Sequence, residues 1–193
     1  NIAATGSAHT VTQNNIYSLA NNNNAGASVT VTGIQFTGSA GANLVERNYI
    51  SSLSVISNDF TSQVNGIRIA GGTTTYKNNI ISLGLGITNS VNIYGINEPS
   101  GTNNFFHNSI HIGGNANAGN GNTSAFFSSV TTNARSIRNN IFAVRRFNTL
   151  SATGNHYVIR VGGTAPNPAG LTVNNNLYYH TGTATLFGFY NNI

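Results

Sequence analysis

The chain has 193 residues, enough for one domain with a core. Only 6% of them are Asp, Glu, Lys or Arg, where ordinary globular domains carry about 25%. Eight basic and three acidic residues leave a formal charge of +5 and a pI near 9.9; Cys, Met and Trp are absent, so disulfides and thiolate chemistry are excluded. No apolar run approaches the roughly 18 residues of a membrane-spanning helix, and no signal segment opens the chain.

From the N-terminus onward one motif returns, an Asn leading into an aliphatic residue. The copies are Gln13-Asn14-Asn15-Ile16, Arg47-Asn48-Tyr49-Ile50, Lys77-Asn78-Asn79-Ile80, His107-Asn108-Ser109-Ile110, Arg138-Asn139-Asn140-Ile141 and Asn174-Asn175-Asn176-Leu177. A second series, Gly33-Ile34, Gly66-Ile67, Gly95-Ile96, Phe126-Phe127, Val158-Ile159 and Gly188-Phe189, keeps the same interval of about 31 residues. Around both, short runs alternate with period two, as in Val29-Thr30-Val31-Thr32 and Val64-Asn65-Gly66-Ile67-Arg68-Ile69. That alternation predicts strands, and no window holds the three-and-four apolar spacing of a helix. Asn-rich composition alone fits disorder, but apolar surface in every repeat argues against it.

The predicted fold is all-β: a parallel β-helix of about six coils, two to three short strands per coil, in one domain over 1–193. Strand spacing of roughly 4.8 Å makes a column on the order of 29 Å long. Two internal stacks are expected: Ile16, Ile50, Ile80, Ile110, Ile141 and Leu177; and Ile34, Ile67, Ile96, Phe127, Ile159 and Phe189. Asn tolerates left-handed backbone at a corner, and its amide both donates and accepts. A structural Asn ladder is therefore predicted at Asn14, Asn48, Asn78, Asn108, Asn139 and Asn175. The Gly- and Asn-rich stretches 21–26, 113–122 and 162–170 read as loops.

On the start at 14–19, the Val64-Asn65-Gly66-Ile67 run, Gly101-Thr102-Asn103-Asn104-Phe105 and the stretch 157–168, the chain resembles the right-handed parallel β-helices of the pectate-lyase-like superfamily. More closely it resembles Asn-rich modules of large secreted surface proteins of Bacteroidetes-type bacteria. The resemblance covers essentially the whole chain. It implies right-handed coils and an exported, extracellular or surface-attached array, and it carries over no catalytic residues.

The chemistry-bearing residues are few. Glycoside hydrolysis by paired carboxylates, or calcium held by several, must draw on Glu46, Asp59 and Glu98 alone. Glu46 and Asp59 are close enough in the coil frame to meet, with no third partner evident. His107 and His111 face one side of a strand too far apart to share a metal, and no nucleophile elbow or phosphate loop occurs. The reading is a non-enzyme without metal or cofactor. Regular Thr triplets of the kind that order ice do not recur at one coil position.

The positions before each expected ladder Asn (Gln13, Arg47, Lys77, His107, Arg138, Asn174) predict an outward polar stripe, joined by Arg68 and Arg160 beside the second stack. Arg47, Lys77, Arg138, Arg68 and Arg160 are the candidate polyanion- or glycan-binding residues, with Tyr49, Tyr178, Tyr179 and Tyr190 as stacking faces. Specific nucleic-acid recognition and membrane insertion are not expected. The expected function is a structural module of a secreted or surface filament, stalk or adhesin whose partners are further copies, end to end or in tandem. The last residues, 189–193, break off within a repeat element and suggest a segment of a longer array. The alternative is an extracellular β-helix that binds or processes acidic polysaccharide.

Overall fold

A computed structural model describes residues 1–190 apart from 4, 7, 24, 25, 40, 58, 90 and 164–167. It is an all-β parallel solenoid of about five turns, built from three six-stranded sheets. The first sheet stacks Thr10–Thr12, Asn43–Glu46, Thr74–Lys77, Asn104–Phe106, Arg135–Arg138 and Leu171–Asn174. The second stacks Asn15–Tyr17, Tyr49–Ser51, Ile80–Leu83, Ser109–Gly119, Ile141–Ala152 and Leu177–His180. The third stacks Thr30–Phe36, Gln63–Ala70, Asn92–Ser100, Thr123–Ser128, His156–Val161 and Thr185–Tyr190. A two-stranded parallel pair, Ala20–Asn21 with Ser54–Val55, bridges the first two layers after the second sheet. Layers are numbered one to six in the order given.

The ladder runs through Asn14, Asn48, Asn79, Asn108, Asn140 and Asn176. Each Asn from 14 to 140 donates its Nδ2, at 2.8–3.0 Å, to Oδ1 of the Asn one layer on. The same Oδ1 accepts the preceding Asn's main-chain N–H at 2.9–3.1 Å. From Asn48 onward, the second amide hydrogen reaches back to a carbonyl of the preceding layer: Val11, Val45, Tyr76, Phe105 and Ile137 in turn. An inner Asn thereby uses both donors and both acceptor sites of its amide while fully buried. Asp lacks the donors, and the extra methylene of Gln would carry its amide past these partners.

Three of the six expected ladder positions are therefore displaced by one residue. Asn78, Asn139 and Asn175 occupy the turn before the ladder, with φ of 54°, 57° and 53°, in line with Gln13, Arg47 and His107 in other layers. This corner needs the left-handed conformation, which Asn adopts at least cost among non-glycine residues. In an Asn-Asn pair both residues suit the corner, one through its backbone and the other through its amide.

The same slip moves the inner stack. The in-register column is Ile16, Ile50, Ile81, Ile110, Phe142 and Tyr178. Ile80, Ile141 and Leu177 point outward and are 51%, 43% and 60% exposed, because a strand shifted by one residue presents its opposite face. In the third sheet Ile34, Ile67, Ile96 and Ile159 align as expected, but Phe126 replaces Phe127 between them. Gly188, not Phe189, continues that column.

Gly33, Gly66 and Gly95 explain how the two sheets approach. A Cβ at these positions would lie 2.7, 2.6 and 2.3 Å from Cγ2 of Ile50, Ile81 and Ile110. Each isoleucine thus fills the place of an absent side chain. Higher layers exchange this for aromatic packing: Phe105, Phe126, Phe142 and Tyr178 follow one another with centroids 4.8–5.9 Å apart.

The segment 113–122, expected as a loop, is strand as far as Gly119, because Gly113–Ala116 pair with Arg145–Asn148 across one ladder. Parts of the other two expected loops, residues 24, 25 and 164–167, lie outside the described residues, as do 191–193.

Asn140→Ala leaves buried ladder groups of Asn108 and Phe105 unpaired and should cost about 1–3 kcal/mol. Asn139→Gly keeps its left-handed corner and should change stability by only a few tenths of a kcal/mol. Urea denaturation of the two variants checks the pair; equal losses would remove the ladder from position 140.

Candidate functional site

The predicted basic stripe does not form one site. Arg47 belongs to the left-handed corner column, whereas Lys77 and Arg138 end strands of the first sheet, in register with Thr12, Glu46, Phe106 and Asn174. Glu46 neutralises part of the stripe: its Oε2 lies 3.4 Å from Lys77 Nζ and 3.8 Å from Arg47 Nε. Arg68 and Arg160 sit on the outer face of the third sheet, three layers apart, in a column with Asn97 and Phe127. The Arg160 guanidinium covers the rings of Phe127 and Tyr157, 5.1 and 5.4 Å from their centroids.

The three acids are engaged separately. Asp59 accepts from the Thr61 main-chain N–H at 2.8 Å and its hydroxyl at 2.6 Å, which holds its carboxyl below the usual range. Glu98 is fully buried between the third and first sheets and accepts from Asn103 Nδ2 at 2.8 Å. Burial pushes its carboxyl up to about 7, against the opposing pull of Ser128, Asn103 and Arg135. Among the described residues, no three His, Asp or Glu side chains gather as metal ligands.

Three interior groups are titratable side chains not singled out from sequence. Arg135 is buried with Nη1 directed at Ser128 Oγ, 3.3 Å away, and at the Val130 carbonyl. Arg146 is also buried. Its Nη1 donates to the carbonyls of Gly84 and Gly113 at 3.2 and 3.1 Å, and its Nη2 to those of Ile87 and Asn89 at 2.8 and 3.3 Å. One guanidinium in the fifth layer thus ties down carbonyls of layers three and four. Burial lowers its pKa to about 10, so it stays charged at neutral pH. His156, buried with Nε2 2.9 Å from Asn148 Oδ1, is lowered to about 4 by burial and then by Arg146. An Arg in a strand usually reads as an outward residue, yet 135 alternates in phase with Ile137, and 146 with Phe142 and Val144, on the inward face.

The outer face of the second sheet is the other missed feature. Tyr17, Tyr49, Ile80, Ile141, Leu177 and Tyr179 stand on it, all exposed. Of the four expected stacking tyrosines, Tyr49 and Tyr179 share this face, Tyr178 turns into the core, and the side chain of Tyr190 lies outside the described residues.

Compared with models of known families, with curated proteins and with solved structures, the chain matches none. No helix among the described residues is long and apolar enough to cross a membrane.

Glu98 and His156 make opposite contributions to the pH dependence of stability. Glu98 holds its proton up to about 7 when folded but releases it near 4.5 when unfolded, so its contribution falls as pH rises through that window. His156 stays neutral down to about 4 when folded but protonates near 6.5 when unfolded, so its contribution falls as pH drops through that window. Each is on the order of 3 kcal/mol, and in the native chain they offset. Glu98→Gln should therefore lose stability on acidification from 6.5 to 4, and His156→Gln should gain it from 7 to 4.5. Denaturation midpoints at pH 4, 5.5 and 7 check both; identical profiles in the two variants would contradict this assignment.

Proposed function

We propose that the chain is a non-enzymatic structural module of a secreted or cell-surface filament, stalk or adhesin, stacking axially with further copies in tandem or end to end. The observation that carries this reading is the directional ladder. Every amide-to-amide bond runs from one layer to the next, so the Asn14 end presents an Oδ1 acceptor and the Asn176 end presents its main-chain N–H and the amide hydrogen not bonded to Ile137. A further layer, whichever chain supplies it, fits in one polarity only, which favours head-to-tail continuation over a two-fold pair. The three parallel sheets have the same sense. Stiffness follows from axial hydrogen bonds in every layer, without metal or disulfide.

The similarity to Asn-rich modules of large bacterial surface proteins, and through them to the pectate-lyase-like superfamily, belongs to this proposal. Its support is the coil length, the parallel architecture and the buried Asn column. An extracellular location is part of the same proposal and rests on that resemblance alone. The alternative, an extracellular carbohydrate-binding or carbohydrate-processing solenoid acting on acidic polysaccharide, draws its support from the outer face of the second sheet.

Electron microscopy of the purified chain over a range of concentrations tests axial stacking. Rods of uniform width that lengthen with concentration are expected. Phe187→Arg, which charges an exposed apolar side chain in the sixth layer, should shorten them. A monodisperse single solenoid at every concentration, with no axial continuation in the assembled parent protein, would remove this reading.

A further inference from the structure

The exposed face of the second sheet carries a groove that crosses the strands along the solenoid axis. At one end, in the second and third layers, a concavity of about 140 Å³ is lined by Tyr49, Ser51, Ser52, Ser82 and Leu85. At the other, across layers three to five, one of about 210 Å³ is lined by Leu85, His111, Gly113, Asn115, Arg145 and Phe147. Leu85, two-thirds exposed, separates the two.

The groove is built by register. Gly113 pairs with Arg145, Asn115 with Phe147, and His111 with Ala143. Gly113 is the floor: a Cβ there would meet the His111 ring at 3.0 Å and Leu85 at 3.7 Å, so any larger residue would fill the space. Arg145 and Phe147, two residues apart on one strand, stand side by side on the outer face.

Its charge is one-sided. None of the three acids lines it: Glu46 is paired to Lys77 and Arg47, Glu98 is internal, and Asp59 is held by Thr61. Arg145 is exposed and forms no ion pair among the described residues. Burial, and then Arg145, keep His111 below its ordinary pKa and so neutral at pH 7, able both to donate and to accept. A cation, an aromatic face, hydroxyls and an amide along one axial track match a chain of rings bearing hydroxyls and negative groups.

We propose that this groove binds an acidic glycan lying along the solenoid axis, with a sugar ring against Phe147 and Leu85 and its carboxylate or sulfate on Arg145. The site rests on the carbohydrate-binding alternative, needs only layers two to five, and does not depend on axial stacking. Ser51 and Ser82 are placed to meet hydroxyls of the following ring. Arg145, rather than the Glu46-neutralised stripe at Arg47 and Lys77, is the anion contact.

The test is titration calorimetry of the full chain with four probes: an oligogalacturonate, a heparin-derived oligosaccharide, a neutral dextran oligosaccharide and anionic phosphatidylglycerol vesicles. At least one acidic glycan should bind and weaken with added salt, while dextran does not bind. Which acidic glycan binds tells carboxylate from sulfate. Arg145→Gln, Phe147→Ala and the groove-filling Gly113→Val should each weaken binding by roughly tenfold or more, with melting curves showing that each variant folds. Arg138→Gln, on the first sheet, should stay within about twofold. Three results overturn the site: binding that survives Arg145→Gln and Gly113→Val, equal loss in Arg138→Gln, or binding of anionic lipid vesicles in place of both glycans. No binding of any probe removes the carbohydrate reading itself.

Discussion

A carboxamide column whose every donor and acceptor is used inside the protein is the constraint on which the rest depends. One Asn per turn must sit at one corner, in one register, or the amides of its neighbours are left unpaired and dry. Fixing that corner fixes the start of every second-sheet strand, and so decides which residues face inward. The isoleucines at 50, 81 and 110 then point at Gly33, Gly66 and Gly95, and the sheets close to a distance that a methyl group at those positions would forbid. Ladder, apolar column and glycine column are three consequences of one register.

The fold was legible because periodicity survives small errors, whereas the ladder was not, because register does not. Asn48 and Asn108 have no Asn neighbour and were placed correctly from sequence. Asn78-Asn79, Asn139-Asn140 and Asn174-Asn175-Asn176 offer two or three candidates each, and in each the residue after the expected one, Asn79, Asn140 or Asn176, is the one that serves. An apolar residue two places later does not separate them: Ile80, Ile141 and Leu177 follow the first candidates just as Ile81, Phe142 and Tyr178 follow the true ladder residues. The same one-residue shift takes Lys77 and Arg138 out of the corner column that holds Arg47 and into the strand column of Glu46, so the expected stripe is distributed over two columns.

For the interior cations, charge and alternation disagree: Arg135 is in phase with Ile137, and Arg146 with Phe142 and Val144, on the buried face. Charge assigns a strand Arg to the solvent side, and Arg138 and Arg145 obey. Arg135 and Arg146 do not, because each finds carbonyls or hydroxyls inside that water would otherwise have to supply. In Arg146 those carbonyls come from two different turns, which no property of its neighbours in sequence announces. The groove on the second sheet was hidden for a related reason. Gly113 and Gly114 read as turn residues, and only pairing with Arg145 and Arg146 makes them the floor of a strand surface.

Because each layer, the Arg146 contacts apart, bonds to the layers beside it, the molecule has the cooperativity of a one-dimensional stack. Loss of the outermost turn costs one set of axial bonds and leaves the next amide in the position its neighbour held. Opening therefore proceeds from the ends inward. Arg146 interrupts that sequence, since it fastens carbonyls of layers three and four from layer five and so makes the middle turns come apart together. The solenoid is thus a zipper with a clasp at its centre.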